Sequence, residues 1–124
     1  LVWHAFDDMQ GGEIYVKKIP SMKVTDVATA VAPEAEQTIM GIRPGEKLHE
    51  EMISPEDSYH TYEYSDYYKI LPAINNWSID PARIKKGEKV IDGFRYASDT
   101  NTEWMKVPEL EQWIDNNREK IGKI

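Results

Sequence analysis

Arg43 and Glu46 are the pair whose types and spacing point most directly to chemistry. They stand in Gly41-Ile42-Arg43-Pro44-Gly45-Glu46-Lys47-Leu48-His49-Glu50-Glu51, where the apolar run Thr38-Ile39-Met40 leads into a Pro-Gly break. A carboxylate follows a guanidinium by three positions, and the pattern predicts a strand-to-helix turn carrying charge. The first N–H groups of a helix lack internal partners and the macrodipole is positive there, so such turns meet anions. An arginine beside that end adds a planar fork matched to phosphate oxygens. Taken alone, the turn predicts half of a phosphate site.

Other chemistries lack their residues. The glycines at 11, 12, 41, 45, 87, 93 and 122 make neither G-x-G-x-x-G nor a Walker loop. His49-Glu50 has Ile53, not histidine, four positions after His49, and His4 and His60 are isolated, so no zincin site and no metal set is expected. There is no cysteine, which removes thiol catalysis and zinc-thiolate binding. None of the seven tyrosines is followed by lysine at the fourth position, so the acid-base pair of short-chain reductases is missing. No catalytic group is expected within this chain.

The elements that must position the turn follow from periodicity. Val2, Trp3, Phe6 and Met9 have helical spacing ahead of Gly11-Gly12, predicting the end of a helix. Glu13 to Lys17 alternates as a strand. Ser21 is expected to cap a helix over Met22 to Ala32, where Val24, Val27, Ala28 and Val31 share a face ended by Pro33. With Thr38 to Ile42 as the next strand, this predicts a βαβ unit with a parallel pair and a right-handed crossover. A second helix is expected from Pro44 through Leu48 and Met52. Thr61–Tyr64 and Tyr67–Leu71 predict a hairpin joined by Ser65-Asp66, and residues 73 to 88 a surface connection. Val90 to Tyr96 predicts a short strand interrupted by Gly93, residues 97 to 102 predict ordered turns, and a last helix runs from about Pro108 with Leu110, Trp113, Ile114 and Ile121 on one face.

The 124 residues suit a single globular fold, and the net charge of -7 argues against the basic face a nucleic-acid partner requires. No apolar run approaches the ~18 residues of a membrane span, so a membrane partner is not expected. Leu1-Val2-Trp3-His4-Ala5-Phe6 has no signal-peptide character and reads as the interior of something longer.

Four blocks occur in order: Gly11-Gly12-Glu13-Ile14-Tyr15-Val16, Ile19-Pro20-Ser21-Met22-Lys23, Gly41 to Glu50, and Gly93-Phe94-Arg95-Tyr96-Ala97-Ser98-Asp99-Thr100-Asn101-Thr102-Glu103-Trp104. Together they closely resemble the C-terminal part of the inverting UDP-N-acetylglucosamine 4,6-dehydratases. These are extended short-chain dehydrogenase/reductase enzymes of the bacterial polysaccharide-biosynthesis group that open the pseudaminic acid pathway. The resemblance implies an α/β fold: the C-terminal substrate-binding lobe of an extended reductase, a small βαβ unit with parallel strands plus a short β-hairpin and a C-terminal helix. The Rossmann half, with NADP and the catalytic groups, would lie outside this chain. It further implies that residues 1–12 end a helix of the larger lobe, 13–72 form the nucleotide-sugar lobe and 73–124 a C-terminal extension. A cytoplasmic homo-oligomer would be expected for the full-length enzyme.

By the same resemblance Arg43 contacts the UDP diphosphate, against the alternative of a surface arginine paired with Glu46 or Glu50. Glu46 either accepts from a ribose hydroxyl or is simply an acid in a first helical turn. His49 is assigned to a helix-surface or packing role, Ser21 to a cap before a ligand contact, and the tyrosines to cross-strand packing or burial at a subunit contact before sugar stacking. Lys85-Lys86 is expected as solvated surface. The alternatives to a dehydratase lobe are a non-catalytic binding or assembly module of the same fold, or the lobe of a UDP-GlcNAc epimerase.

Overall fold

The computed structural model describes residues 1–122. Along the chain come α1 (Val2–Asp8), β1 (Ile14–Lys17), α2 (Val24–Val31), β2 (Glu51–Ile53), β3 (Thr61–Glu63), β4 (Tyr67–Ile70), α3 (Pro81–Ile84), β5 (Glu88–Lys89), β6 (Tyr96–Ala97) and α4 (Val107–Ile121). Short 3-10 turns span Asp57–His60 and Ile74–Ile79. These elements divide into two compact units, one of residues 1–19 and 51–100, the other of residues 20–50 and 101–124.

The first unit is organised on the tyrosine hairpin. β4 pairs antiparallel with β3 on one side and with β1 on the other, and β5 joins beyond β3, giving the order β1-β4-β3-β5. A central strand is covered on both faces, and every residue of β4 is buried. Strand side chains alternate in direction, so β4 presents Tyr68 and Ile70 to one side and Tyr67 and Lys69 to the other. The first set packs with Val16, Ile53, Val90, Tyr96 and Phe94 into the apolar core. The second set lies with α1 and α3. β2 and β6 form a separate antiparallel pair, with a register shift between Glu51 and Ile53.

In the second unit α2 packs on α4, which buries Leu110 and half-buries Ile114. Trp113 and Ile121 on the predicted apolar face stay 49% and 42% exposed. The start of α4 is fixed by Glu109, whose Oε2 accepts from the Lys106 N–H at 2.6 Å. That is the reciprocal half of a capping box.

Several expectations are corrected. No parallel βαβ unit forms: β1 pairs antiparallel with β4, and residues 38 to 42 make no strand. Ile39 and Met40 are 88% and 90% exposed, and Gly41 takes φ 82°, which breaks extended backbone. The hairpin instead offers β1 a ready antiparallel edge. The helix expected from Pro44 is also absent. Arg43–Glu46 is a β-turn closed by the Glu46 N–H to the Arg43 carbonyl at 3.0 Å, with Gly45 at φ 87°. Proline fixes the same φ at the second position of a turn as at the first position of a helix, and the glycine after it decides for the turn. Leu48 is 79% exposed, so a helix here would have had no apolar face to bury, and residues 51–53 extend into β2. Ser21 does not cap α2. The cap position is Lys23 with no side-chain bond, and Ser21 is buried in a parallel bridge to Trp104. Of the strand expected over Val90 to Tyr96 only Tyr96 lies in a strand, at the start of β6; β5 ends at Lys89 and a turn at Gly93 stands between them.

Candidate functional site

The turn at Arg43 closes on itself. Arg43 Nε donates to Glu46 Oε1 at 2.8 Å, and the Arg43 backbone N–H donates to Glu46 Oε2 at 2.9 Å. The Arg43 side chain is 85% exposed and that of Glu46 45%. An exposed pair of this kind contributes about 0–1 kcal/mol, so stability does not require it. The two terminal guanidinium nitrogens have no partner among the described residues, and they are the atoms that grip a phosphate bidentately. Without a helix after it the turn carries no helix dipole, and its exposed cationic group is the Arg43 guanidinium.

A second set of charged groups, which sequence reasoning missed, lies in the first unit beneath α1. Lys69, 2% exposed, donates to Asp8 Oδ2 at 2.6 Å and to the Arg83 carbonyl at 2.6 Å. The Tyr15 hydroxyl donates to the same Asp8 oxygen at 2.7 Å, and Lys85 pairs with the other. Lys85 is therefore more than solvated surface. The Lys69 ammonium also lies 5.6 Å and 5.1 Å from the ring centres of Tyr15 and Tyr64. Next to it Arg83, 6% exposed, pairs with Glu13 and donates to the Gly11 carbonyl at 3.1 Å, its guanidinium 4.1 Å over Trp77. His4 Nε2 and the Tyr67 hydroxyl meet at 2.9 Å.

Burial works against the Asp8 charge, but the hydrogen bonds from Lys69, Lys85 and Tyr15 outweigh it and hold the carboxyl well below the usual carboxylate range. Burial, then the Asp8 carboxylate, push the Tyr15 phenol up, and burial does the same to Tyr64. Phenols raised in this way stay protonated and are poor acids, and the cluster is closed over by its own partners. Its role is to hold α1 on the sheet. Among the described residues α1 has no buried side chain beyond this polar contact, and its apolar face points outward, with Val2, Trp3 and Phe6 69%, 82% and 76% exposed. The one sequence signal was a lysine set between aromatic and apolar residues in a central strand; Arg83 gave none.

Tyr64 stacks on Tyr67 at 4.5 Å and Tyr68 lies 5.1 Å from Tyr96, the aromatic packing expected of the cluster, whereas Tyr59 is 56% exposed. The block from Arg95 onward acquires roles. Arg95 joins Asp99 and Glu51, and these carboxylates, Asp99 first, raise its pKa. The Tyr96 hydroxyl accepts from the Ile19 N–H at 2.8 Å and donates to the Ile19 carbonyl at 3.0 Å. Thr100 Oγ1 accepts from the Ala97 N–H at 3.1 Å, ordering the turn. No group of three His, Cys, Asp or Glu among the described residues can hold a metal, and no described helix is long and apolar enough to cross a membrane. The β1–α2 connection, Lys18 to Lys23, contains no glycine, so these residues do not fit the phosphates of a dinucleotide.

The family model described as "Polysaccharide biosynthesis protein" matches residues 1–72, more than half of the chain. The chain belongs to that family. The inverting UDP-N-acetylglucosamine 4,6-dehydratase of Campylobacter jejuni is 51% identical over 117 residues, covering 90% of this chain and 35% of that protein. A UDP-glucose 4-epimerase of Rickettsia canadensis is 32% identical over 119 residues, covering 92% of this chain and 34% of that protein. The chain thus spans about a third of the length of these relatives. Among solved structures, Pen from Bacillus thuringiensis superposes with a TM-score of 0.75 over 94% of this chain and 35% of that one, at 21% identity, and shows that the fold is shared. Within the family fold, this chain is a mixed α/β segment whose sheets are antiparallel.

Proposed function

We propose that this chain is the UDP-sugar-binding segment of a UDP-N-acetylglucosamine 4,6-dehydratase. The observation that carries the proposal is the 51% identity over 90% of the chain to proteins of that name. On this reading the full-length enzyme oxidises C4 of the sugar, eliminates water across C5 and C6, and returns hydride to C6 with inversion at C5. NADP, which supplies the hydride chemistry, and the acid-base groups are held by residues outside this chain. The outward apolar face of α1 supports the presence of such a larger body, which covers it in the complete protein.

The part assigned to this chain is grip. Arg43 offers its terminal nitrogens to the diphosphate while Nε stays on Glu46, and Glu46 turns an oxygen to a ribose hydroxyl. In the full-length enzyme Arg43→Ala lowers kcat/KM for UDP-N-acetylglucosamine at least tenfold, the equivalent of ~1.5 kcal/mol for one charge-assisted contact. An unchanged kcat/KM sinks the assignment. The weaker identity to an epimerase leaves a product assay as the arbiter of reaction: a 4-keto-6-deoxy sugar supports the proposal, and a 4-epimer overturns it.

A further inference from the structure

Proline followed by glycine suits the two central positions of a type II β-turn, the first by its fixed φ and the second by its freedom at positive φ, here 87° at Gly45. Such a turn brings its first and fourth residues side by side, and these are Arg43 and Glu46, joined by the Glu46 N–H to the Arg43 carbonyl at 3.0 Å. The Glu46 side chain commits both oxygens to Arg43. Oε1 accepts from Nε at 2.8 Å and Oε2 from the backbone N–H at 2.9 Å. One carboxylate therefore holds the guanidinium by its inner edge and ties it to its own main chain. The two terminal nitrogens are left over.

Stability does not account for this arrangement, because a pair so exposed adds little to it. Attraction of an anion does not account for it either, since a carboxylate beside the guanidinium lowers the local positive potential and repels a diphosphate. What the pair supplies is a fixed pose. An arginine free in water loses rotamer freedom when it meets a ligand, and one ordered beforehand loses less. We propose that Glu46 is a positioning residue which, with the Pro44-Gly45 turn, sets the Arg43 guanidinium for the diphosphate before the substrate arrives. The proposal rests on the diphosphate reading of Arg43. It gives Glu46 a role separate from a ribose contact, exerted on the substrate through Arg43.

The test is a mutant cycle in the full-length enzyme. Ordering one rotamer-rich side chain in advance is worth about twofold to tenfold in affinity, so Glu46→Ala should lower kcat/KM for UDP-N-acetylglucosamine by that factor. In an Arg43→Ala background the same change should cost nothing further. With an analogue whose uridine lacks the 2′ and 3′ hydroxyls the Glu46→Ala loss should persist, whereas a ribose contact has nothing left to lose there. Glu46→Gln keeps one acceptor oxygen and should fall between Glu46→Ala and wild type. Gly45→Ala places its Cβ where nothing lies within 4 Å, yet disfavours the turn through φ. It leaves the carboxylate intact and should reproduce the Glu46→Ala loss, again only while Arg43 is present. Additive losses, disappearance of the Glu46→Ala loss with the analogue, or a kcat/KM that stays level or rises in Glu46→Ala overturn the proposal. The ¹⁵N-labelled 124-residue chain reads the pose without a ligand: the Arg43 Nε–H should exchange slowly with solvent in wild type and fast in Glu46→Ala, and equal exchange also overturns it. An Arg43→Ala enzyme with unchanged kcat/KM fails the diphosphate reading itself. A tenfold Arg43→Ala loss with no coupling to Glu46 fails the positioning role alone.

Discussion

Removing the Asp8 carboxylate tests the account of the charged cluster most sharply, because the two sides of its buried pair are not equivalent. In Asp8→Ala the Lys69 ammonium, 2% exposed, keeps only the Arg83 carbonyl and two tyrosine rings, while Lys85, 53% exposed, turns to water. A buried charge stripped of its partner destabilises by about 3–5 kcal/mol. Unfolding entropy of ~2.1 cal/mol/K per residue over 124 residues makes that a fall in Tm of roughly 10–20 °C. Lys69→Met is milder, at about 1–2 kcal/mol, because Asp8 retains Lys85 and the Tyr15 hydroxyl and the methionine fills the space of the lysine stem. Joining the two changes removes the orphaned charge, so the double variant should be more stable than Asp8→Ala alone. Urea titration of the four proteins gives the cycle. Additive losses, or a Lys69→Met loss equal to that of Asp8→Ala, refute the reasoning.

Two further outcomes follow from the same unit. The Asp8 and Glu13 carboxyls are both held below their ordinary values of 3.8 and 4.5, so their stabilisation is complete above those values and is lost as the pH falls through the lowered ones. The urea midpoint should therefore be flat above about pH 5 and decline below it, with a shallower decline in Asp8→Asn. A Cβ on Gly87 would lie 2.5 Å from Cζ of Tyr64, whose hydroxyl donates to the Ile84 carbonyl at 2.6 Å and whose ring stacks on Tyr67. Gly87→Ala should cost about 1–3 kcal/mol, read as a lower urea midpoint at an unchanged slope, whereas an exposed change such as Arg43→Ala should stay within about 0.5 kcal/mol.

What the sequence disclosed followed the strength of local signals. Val24, Val27, Ala28 and Val31 put α2 in place, and the two tyrosine-rich runs fixed the central hairpin, because each pattern matches its own element without help from elsewhere. The pairing direction of β1 was not local. It was decided by β4, some fifty positions on, which offered an edge that residues 38 to 42 could not. The Pro44-Gly45 pair was legible as a break but ambiguous as to kind, since one proline dihedral serves a helix start and a turn alike. Arg43 and Glu46 form the surface pair that the sequence offered as the alternative to a ligand contact, and what the structure removed was the helix behind them. Arg83 and Lys69 left little trace, for a buried charge is specified by its partners, here Glu13 and Asp8, which lie 70 and 61 positions away.

The division of the chain has a practical corollary. The backbone passes from one unit to the other at 19/20, 50/51 and 100/101, so the halves are braided along the sequence and no single cut releases either as a continuous piece. A chimera that exchanges one unit for that of a relative must be spliced at all three junctions. Conversely, a break in the backbone at 50/51 leaves fragments that each hold parts of both units, so the fragments can regain native structure only by reassociating. Folding must likewise close long loops before either unit is complete, which places its rate with proteins of non-local topology and not with short helical bundles.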